Sequence, residues 1–246
     1  MAAADRLAVA VDVPLQPGLE LYRRVAPYAG FAKVGLSLFV EHGPRAVEAF
    51  RALGARVFLD LKLHDIPNTV ELAAARAGAL GVSLLTVHAQ GGEAMLRAAL
   101  AGAADGAARA GVPPPRVLAV TVLTSLSDAD LAKLGHRSTA AEVALQLADV
   151  AVGAGAGGLV CSAREVERLR QRHGAGLFLC TPGIRPASAG AGDQARTETP
   201  RFAVEAGADL LVVGRPITAA ADPAAAAEAI SREIAAAESP PAWRTP

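Results

Sequence analysis

The chain has 246 residues, 52% of them hydrophobic and 20% charged, enough apolar material for a large buried core in one barrel or two small domains. Lys plus Arg and Asp plus Glu both total 24, so no global field favours nucleic acid or an anionic membrane, and the expected partner is a small molecule held by local charge. No apolar run reaches the ~20 residues that span a bilayer, and the opening MAAADRL lacks the apolar stretch of a signal peptide, so the chain reads as cytoplasmic.

Short runs rich in Val, Leu and Phe alternate with longer Ala/Leu/Glu/Arg stretches of helical period, the pattern of βα units around a parallel sheet. The runs predict strands at Leu7–Asp12, Phe31–Gly35, Arg56–Lys62, Val82–His88, Arg116–Leu123, Gly157–Cys161, Gly176–Cys180 and Asp209–Gly214. Helices are expected near 17–28, 41–53, 67–80, 92–110, 138–153, 163–173, 200–206 and 223–237. Glycine-bearing stops in LGAR (53–56), LGVS (80–83) and AGAD (206–209) separate helices from the strands that follow. About eight such units make the fold class α/β, a single (β/α)8 TIM barrel. No composition break divides residues 1–246, so one domain is expected, with the Pro-rich 239–246 as a flexible tail. Cys161 and Cys180 end two strands without a CxxC spacing or a paired histidine, and read as small buried hydrophobes, with neither disulfide nor zinc site.

Residues two apart in a strand point the same way, so Asp60 and Lys62 in VFLDLKLHDIPNT share a face that looks into the barrel mouth, while Leu59 and Leu61 face the helices. A buried ion pair would account for two charges. It leaves over Asp12 at the end of the first strand, Lys33 near the end of the second and Asp65 just past the third, all expected at the same rim. Alternating Asp and Lys can satisfy one another, and a lysine flanked by aspartates is held charged, ready to stabilise a carbanion and donate a proton.

After the eighth strand, LLVVGRPIT places Gly214 and Arg215 before a helix that Pro216 is suited to begin. Such a turn is either a simple helix start or, in barrels, half of a phosphate site. Arg185 and Gln194, in the long polar stretch Thr181–Thr199, are placed to complete that clamp; the stretch reads as a mobile lid or a surface loop. His88 in LTVHAQGG reads as structural, its ring hydrogen-bonded near the rim of the fourth strand, and Gly91 and Gly92 as turn formers.

Together, AVDVP, FAKVG, DLKLHDIPNT, VTVLTS, TPGIRP, GDQAR and VVGRPIT resemble the orotidine 5′-phosphate decarboxylase family along the whole barrel. The resemblance implies decarboxylation of orotidine monophosphate without cofactor or metal. It makes Asp60, Lys62 and Asp65 the catalytic network, Lys62 the proton donor, and Asp12 and Lys33 the holders of the ribose hydroxyls. Thr124 would meet the pyrimidine, and Arg185, Gln194, Gly214 and Arg215 the phosphate. It also implies a homodimer in which Asp65 and Thr69 reach the neighbouring site, with Asn68 supporting that loop. The DxKxxD core is shared with metal-dependent enzymes acting on hexulose or ketogulonate phosphates, and a silent nucleotide-binding barrel would keep the clamp while losing the network.

Overall fold

The structure, a computed structural model, describes residues 2–186 and 197–237. Eight parallel strands close into a barrel in chain order: β1 (Leu7–Ala10), β2 (Phe31–Gly35), β3 (Arg56–Leu63), β4 (Leu84–His88), β5 (Arg116–Val120), β6 (Gly158–Val160), β7 (Phe178–Thr181) and β8 (Leu210–Val213), with β8 pairing back onto β1. Outside the ring lie α1 (Leu15–Val25), α2 (Leu36–His42), α3 (Pro44–Ala52), α4 (Pro67–Ala79), α5 (Gly92–Ala110), α6 (Asp128–Lys133), α7 (Ala140–Ala154), α8 (Ala163–His173), α9 (Pro200–Ala206), α10 (Arg215–Thr218) and α11 (Pro223–Ala236). The expected glycine stops hold: Gly54, Gly81 and Gly207 have φ of +77°, +65° and +107°.

Several expected element bounds need correction, the fifth strand among them, which ends at Val120 and not at Leu123. The first strand ends at Ala10, because the Asp12 N–H turns back to the Ala10 carbonyl at 3.1 Å and leaves the ladder. The helix expected at 41–53 is two, α2 and α3, broken at Gly43 with φ +56° ahead of Pro44. Helix α6 was not anticipated; a capping box between Ser127 and Asp130 starts it, and buried Leu131 anchors it on Val122, Ala140, Val143 and Ala144. Helix α10 begins at Arg215, with Pro216 second rather than first.

Two cores follow from the strand period. Ala8, Ala10, Phe31, Phe58, Leu84, Leu118, Val120, Val160, Cys180, Leu210 and Val212 fill the barrel, while Val9, Val34, Leu59, Leu85, Leu159 and Leu211 pack outward under the helices. Helices α4 and α5 meet backbone to backbone: a Cβ built on Gly78, Gly102 or Gly106 would lie 2.2, 2.2 or 1.9 Å from a carbonyl of the facing helix. That close seating holds the helix that follows the charged end of β3.

Candidate active site

At the mouth the inward positions of β2 and β3 carry Lys33, Asp60 and Lys62. Lys33 is 8% exposed and sits one strand from Asp60, also 8% exposed. The Lys33 ammonium is 3.4 Å from Asp12 and 3.5 Å from Asp60, and the Lys62 ammonium lies 2.8 Å from both Asp60 oxygens. Burial pushes the Asp60 carboxyl up, but the charges of Lys33 and Lys62 and the hydrogen bonds from Lys62 and Thr86 outweigh it and hold its pKa below the ordinary carboxylate value. The chain Asp12–Lys33–Asp60–Lys62 is therefore continuous.

Regular alternation does not by itself account for the aspartate–lysine contact. Between Leu59 and Leu63 the β3–β4 register slips, with four steps along β3 matched by two along β4, from Leu85 to Val87. Lys62 takes φ +50°, which no other non-glycine residue does among the described residues. Two further residues shape the network. Thr86 is fully buried on β4, where its hydroxyl accepts the Lys62 N–H at 2.9 Å and donates to Asp60 Oδ1 at 2.9 Å. A Cβ on Gly35 would lie 3.0 Å from the Lys33 ammonium and 3.1 Å from Asp12, so the glycine leaves room for that pair. Sequence reasoning missed both, although the inward alternation Leu84, Thr86, His88 marks Thr86 as a polar residue beside Asp60.

The charges open onto a cavity of about 600 Å³ that is also lined by Thr124, Arg185, Gly214 and Arg215. Strand β7 is opposite β3 in the ring and β8 adjoins it, so the two arginines enter from the side facing the lysine–aspartate chain. Desolvation first, and then the charge of Arg215, which lines the same cavity, lowers the pKa of Arg185. The Arg185 N–H donates to the Glu198 carbonyl at 3.0 Å, and Arg164 holds the Glu198 carboxylate at 2.7 Å. Gln194, most of the stretch expected as a lid and the tail at 239–246 lie outside the described residues. Among the described residues nothing crowds Gly214: a Cβ there meets Ala10 at an ordinary 3.5 Å.

Within one chain Asp65 does not join the rim expected for it. The loop carries it out of the barrel towards α4, where it is exposed and its carboxylate accepts the Ile66 N–H at 2.6 Å. Asp65 and Thr69 instead line a second hollow with His64, Val70 and Ala73, which adjoins the central cavity at Lys62. His88 also departs from expectation: its Nδ1 is buried with no hydrogen-bond partner among the described residues, and its ring lies 5.4 Å from that of His64. Burial, followed by the charges of His64 and Lys62, lowers its pKa. Both cysteines are buried and free, and burial raises both thiols. No group of three or more His, Cys, Asp or Glu is arranged to hold a metal ion among the described residues, and none of their helices is long and apolar enough to cross a membrane.

A closed parallel barrel with its polar residues gathered at the carboxyl ends of the strands defines a barrel enzyme acting at that mouth. Residues 5–230 match the family described as "Orotidine 5'-phosphate decarboxylase / HUMPS family". The chain is 53% identical over 232 residues to the orotidine 5′-phosphate decarboxylase of Anaeromyxobacter sp. (strain K), covering 94% of this chain and 99% of that one. It is 49% identical over 236 residues to the enzyme of the same name from Moorella thermoacetica, covering 95% and 94%. The crystal structure of orotidine 5′-phosphate decarboxylase from Lactobacillus acidophilus superposes with a TM-score of 0.81 at 40% identity, over 94% of this chain and 100% of that one. The chain belongs to the orotidine 5′-phosphate decarboxylase / HUMPS family; it is an enzyme, and these relatives are carboxy-lyases.

Proposed function

We propose that this carboxy-lyase converts orotidine 5′-monophosphate to uridine 5′-monophosphate and carbon dioxide, in de novo pyrimidine synthesis and without a cofactor. The observation that carries the reading is a buried carboxylate held between two ammonium groups, at the mouth of a cavity that two guanidinium groups enter from the facing side. Such a cavity suits a molecule with a phosphate at one end and a reacting carboxylate at the other. Arg185 and Arg215, with Gly214 and Gln194, take the phosphate; Asp12 and Lys33 take the ribose hydroxyls; Thr124 meets the pyrimidine. The substrate carboxylate is set against Asp60, whose negative charge disfavours it there. As the bond to C6 breaks, carbon dioxide leaves and the electron pair stays on C6. The Lys62 ammonium stabilises that pair and then gives it a proton. Among the described residues the Lys62 ammonium is bonded only to Asp60, which is consistent with a proton directed at the cavity.

The same reading takes residues 1–246 as one cytoplasmic domain, and makes the protein a homodimer in which Asp65 and Thr69 complete the partner's site. Support comes from their position outside their own cavity, and from exposed Leu36 and Val40 on α2 and Ile66 and Leu72 near the start of α4, which follow adjacent strands. Mixing Lys62→Ala with Asp65→Ala subunits tests it. Random reassortment makes about half the dimers mixed, each with one intact site, so activity should return to roughly a quarter of wild type per subunit. Confirmed mixed dimers without activity reject the shared site.

The reaction is tested by the loss of orotidine monophosphate absorbance during exhaustive chelation. Full turnover is expected, since Lys33, Lys62, Arg185 and Arg215 supply the positive charge. Turnover restored only by magnesium, on a hexulose or ketogulonate phosphate, would move the chain to the other branch of the family.

A further inference from the structure

Thr86 touches both ends of the aspartate–lysine pair. The slip between β3 and β4 takes Lys62 out of the regular ladder, so its N–H has no strand carbonyl to meet; the Thr86 hydroxyl oxygen meets it instead, at 2.9 Å. An amide N–H can only donate and a carboxylate only accept, while a hydroxyl has a single proton. With its oxygen accepting from Lys62, that proton is directed to Asp60 Oδ1, 2.9 Å away. Thr86 is itself fully buried, and its bond to Asp60 lies away from water. The hydroxyl thus ties the left-handed backbone of Lys62, φ +50°, to the carboxylate that its own side chain contacts.

We infer that Thr86 is a positioning residue, its hydroxyl latching the Lys62 backbone and the Asp60 carboxylate into one unit so that the lysine ammonium is held at a set place over the cavity. This rests on the decarboxylase reading for its effect on turnover, but not for its effect on the backbone. Losing the hydroxyl frees Lys62 to leave a conformation that a side-chain-bearing residue seldom holds, and the ammonium moves with it. A methyl group in its place keeps the barrel packed and removes only the latch.

The test compares Thr86→Val with Thr86→Ser. In Thr86→Val, kcat should fall at least tenfold while affinity for uridine monophosphate stays within about twofold, since product binding does not need the placed proton. Thr86→Ser, which keeps the hydroxyl, should return kcat to within about threefold of wild type. Hydrogen exchange at the Lys62 amide supplies a readout that needs no substrate: slow in wild type and Thr86→Ser, at least tenfold faster in Thr86→Val. Accelerated exchange in a protein that does not turn over orotidine monophosphate would sustain the latch and reject the reaction. Unchanged exchange and kcat in Thr86→Val, or a serine variant as impaired as the valine one, overturns the inference. Should Thr86→Val not fold, Thr86→Ala carries the same comparison with serine.

Discussion

A buried ion pair and a half-buried one lie at opposite ends of this barrel and are built on opposite plans. At the amino ends of the strands Arg170, 1% exposed, is saturated: it bonds Asp209, the Gly207 carbonyl at 3.0 and 2.9 Å, the Gly174 and Ala175 carbonyls at 3.4 and 3.3 Å, and the Leu177 carbonyl. The Asp209 carboxylate also takes the Leu179 N–H at 2.8 Å, which ties β7 to β8. At the carboxyl ends Lys62 bonds, among the described residues, a single carboxylate and faces a cavity from a backbone conformation that needs outside support. A planar guanidinium with five donors can be used up by carbonyls, whereas an ammonium on a flexible stem keeps donors for a ligand. Saturation marks the structural pair and open donor capacity the chemical one.

The contrast makes the two lesions separable. Lys62→Ala should cost the most, on the order of 10⁴-fold in kcat, because it removes both charge stabilisation and the proton. Its unfolding midpoint in urea and its affinity for uridine monophosphate should barely change; a variant keeping a tenth of wild-type turnover would sink Lys62 as proton donor. Arg170→Met is expected to do the reverse. It strands Asp209 and several carbonyls, for a loss of about 3–5 kcal/mol in urea unfolding, with kcat per folded molecule unchanged. A loss below about 1 kcal/mol, or a folded protein with impaired turnover, would erase the distinction.

Smaller effects sharpen it. Arg215→Ala removes one charged partner of the phosphate and leaves the lysine in place, so steady-state kinetics should show kcat/KM lowered by roughly 10- to 100-fold, the equivalent of about 1.5–3 kcal/mol for a charge-assisted bond. An unchanged kcat/KM would remove Arg215 from the clamp. The smallest effect concerns His88, another unsaturated group at the mouth, whose pKa lies below the ordinary 6.5. Between its folded value and 6.5 the unfolded chain binds a proton that the folded chain does not. Its contribution is therefore complete above pH 6.5 and diminishes as pH falls toward the folded value. His88→Gln should flatten the decline of melting temperature with pH in that window; an unaltered slope assigns the decline to other groups.

The order of strands and helices was legible in the sequence because a barrel of consecutive βα units is made from neighbours along the chain: period-two apolar runs, helical stretches and glycine stops each act within a few residues. Asp12, Lys33, Asp60, Lys62, Arg185 and Arg215 were likewise legible, as charged residues at or just past strand ends, and Thr124 only through the family resemblance; with Gly214 they line one cavity. Helix α6 is not legible because a six-residue helix has too little period to stand out from its loop, although its capping box is written in SDAD (127–130).

What tertiary structure alone decided lies where two distant segments meet. The slip between β3 and β4, the positive φ of Lys62 and the bridging Thr86 hydroxyl depend on register, which no single segment encodes. Asp65 belonged to the rim by spacing, yet the turn into α4 carries it outside its own cavity. Gly35 looks like any strand glycine until the Lys33 ammonium and the Asp12 carboxylate arrive beside it from β2 and the end of β1. Local sequence set which residues carry charge and which strand ends they occupy; whether each charge is saturated, paired or left open was settled only by what the rest of the fold brought within hydrogen-bond reach.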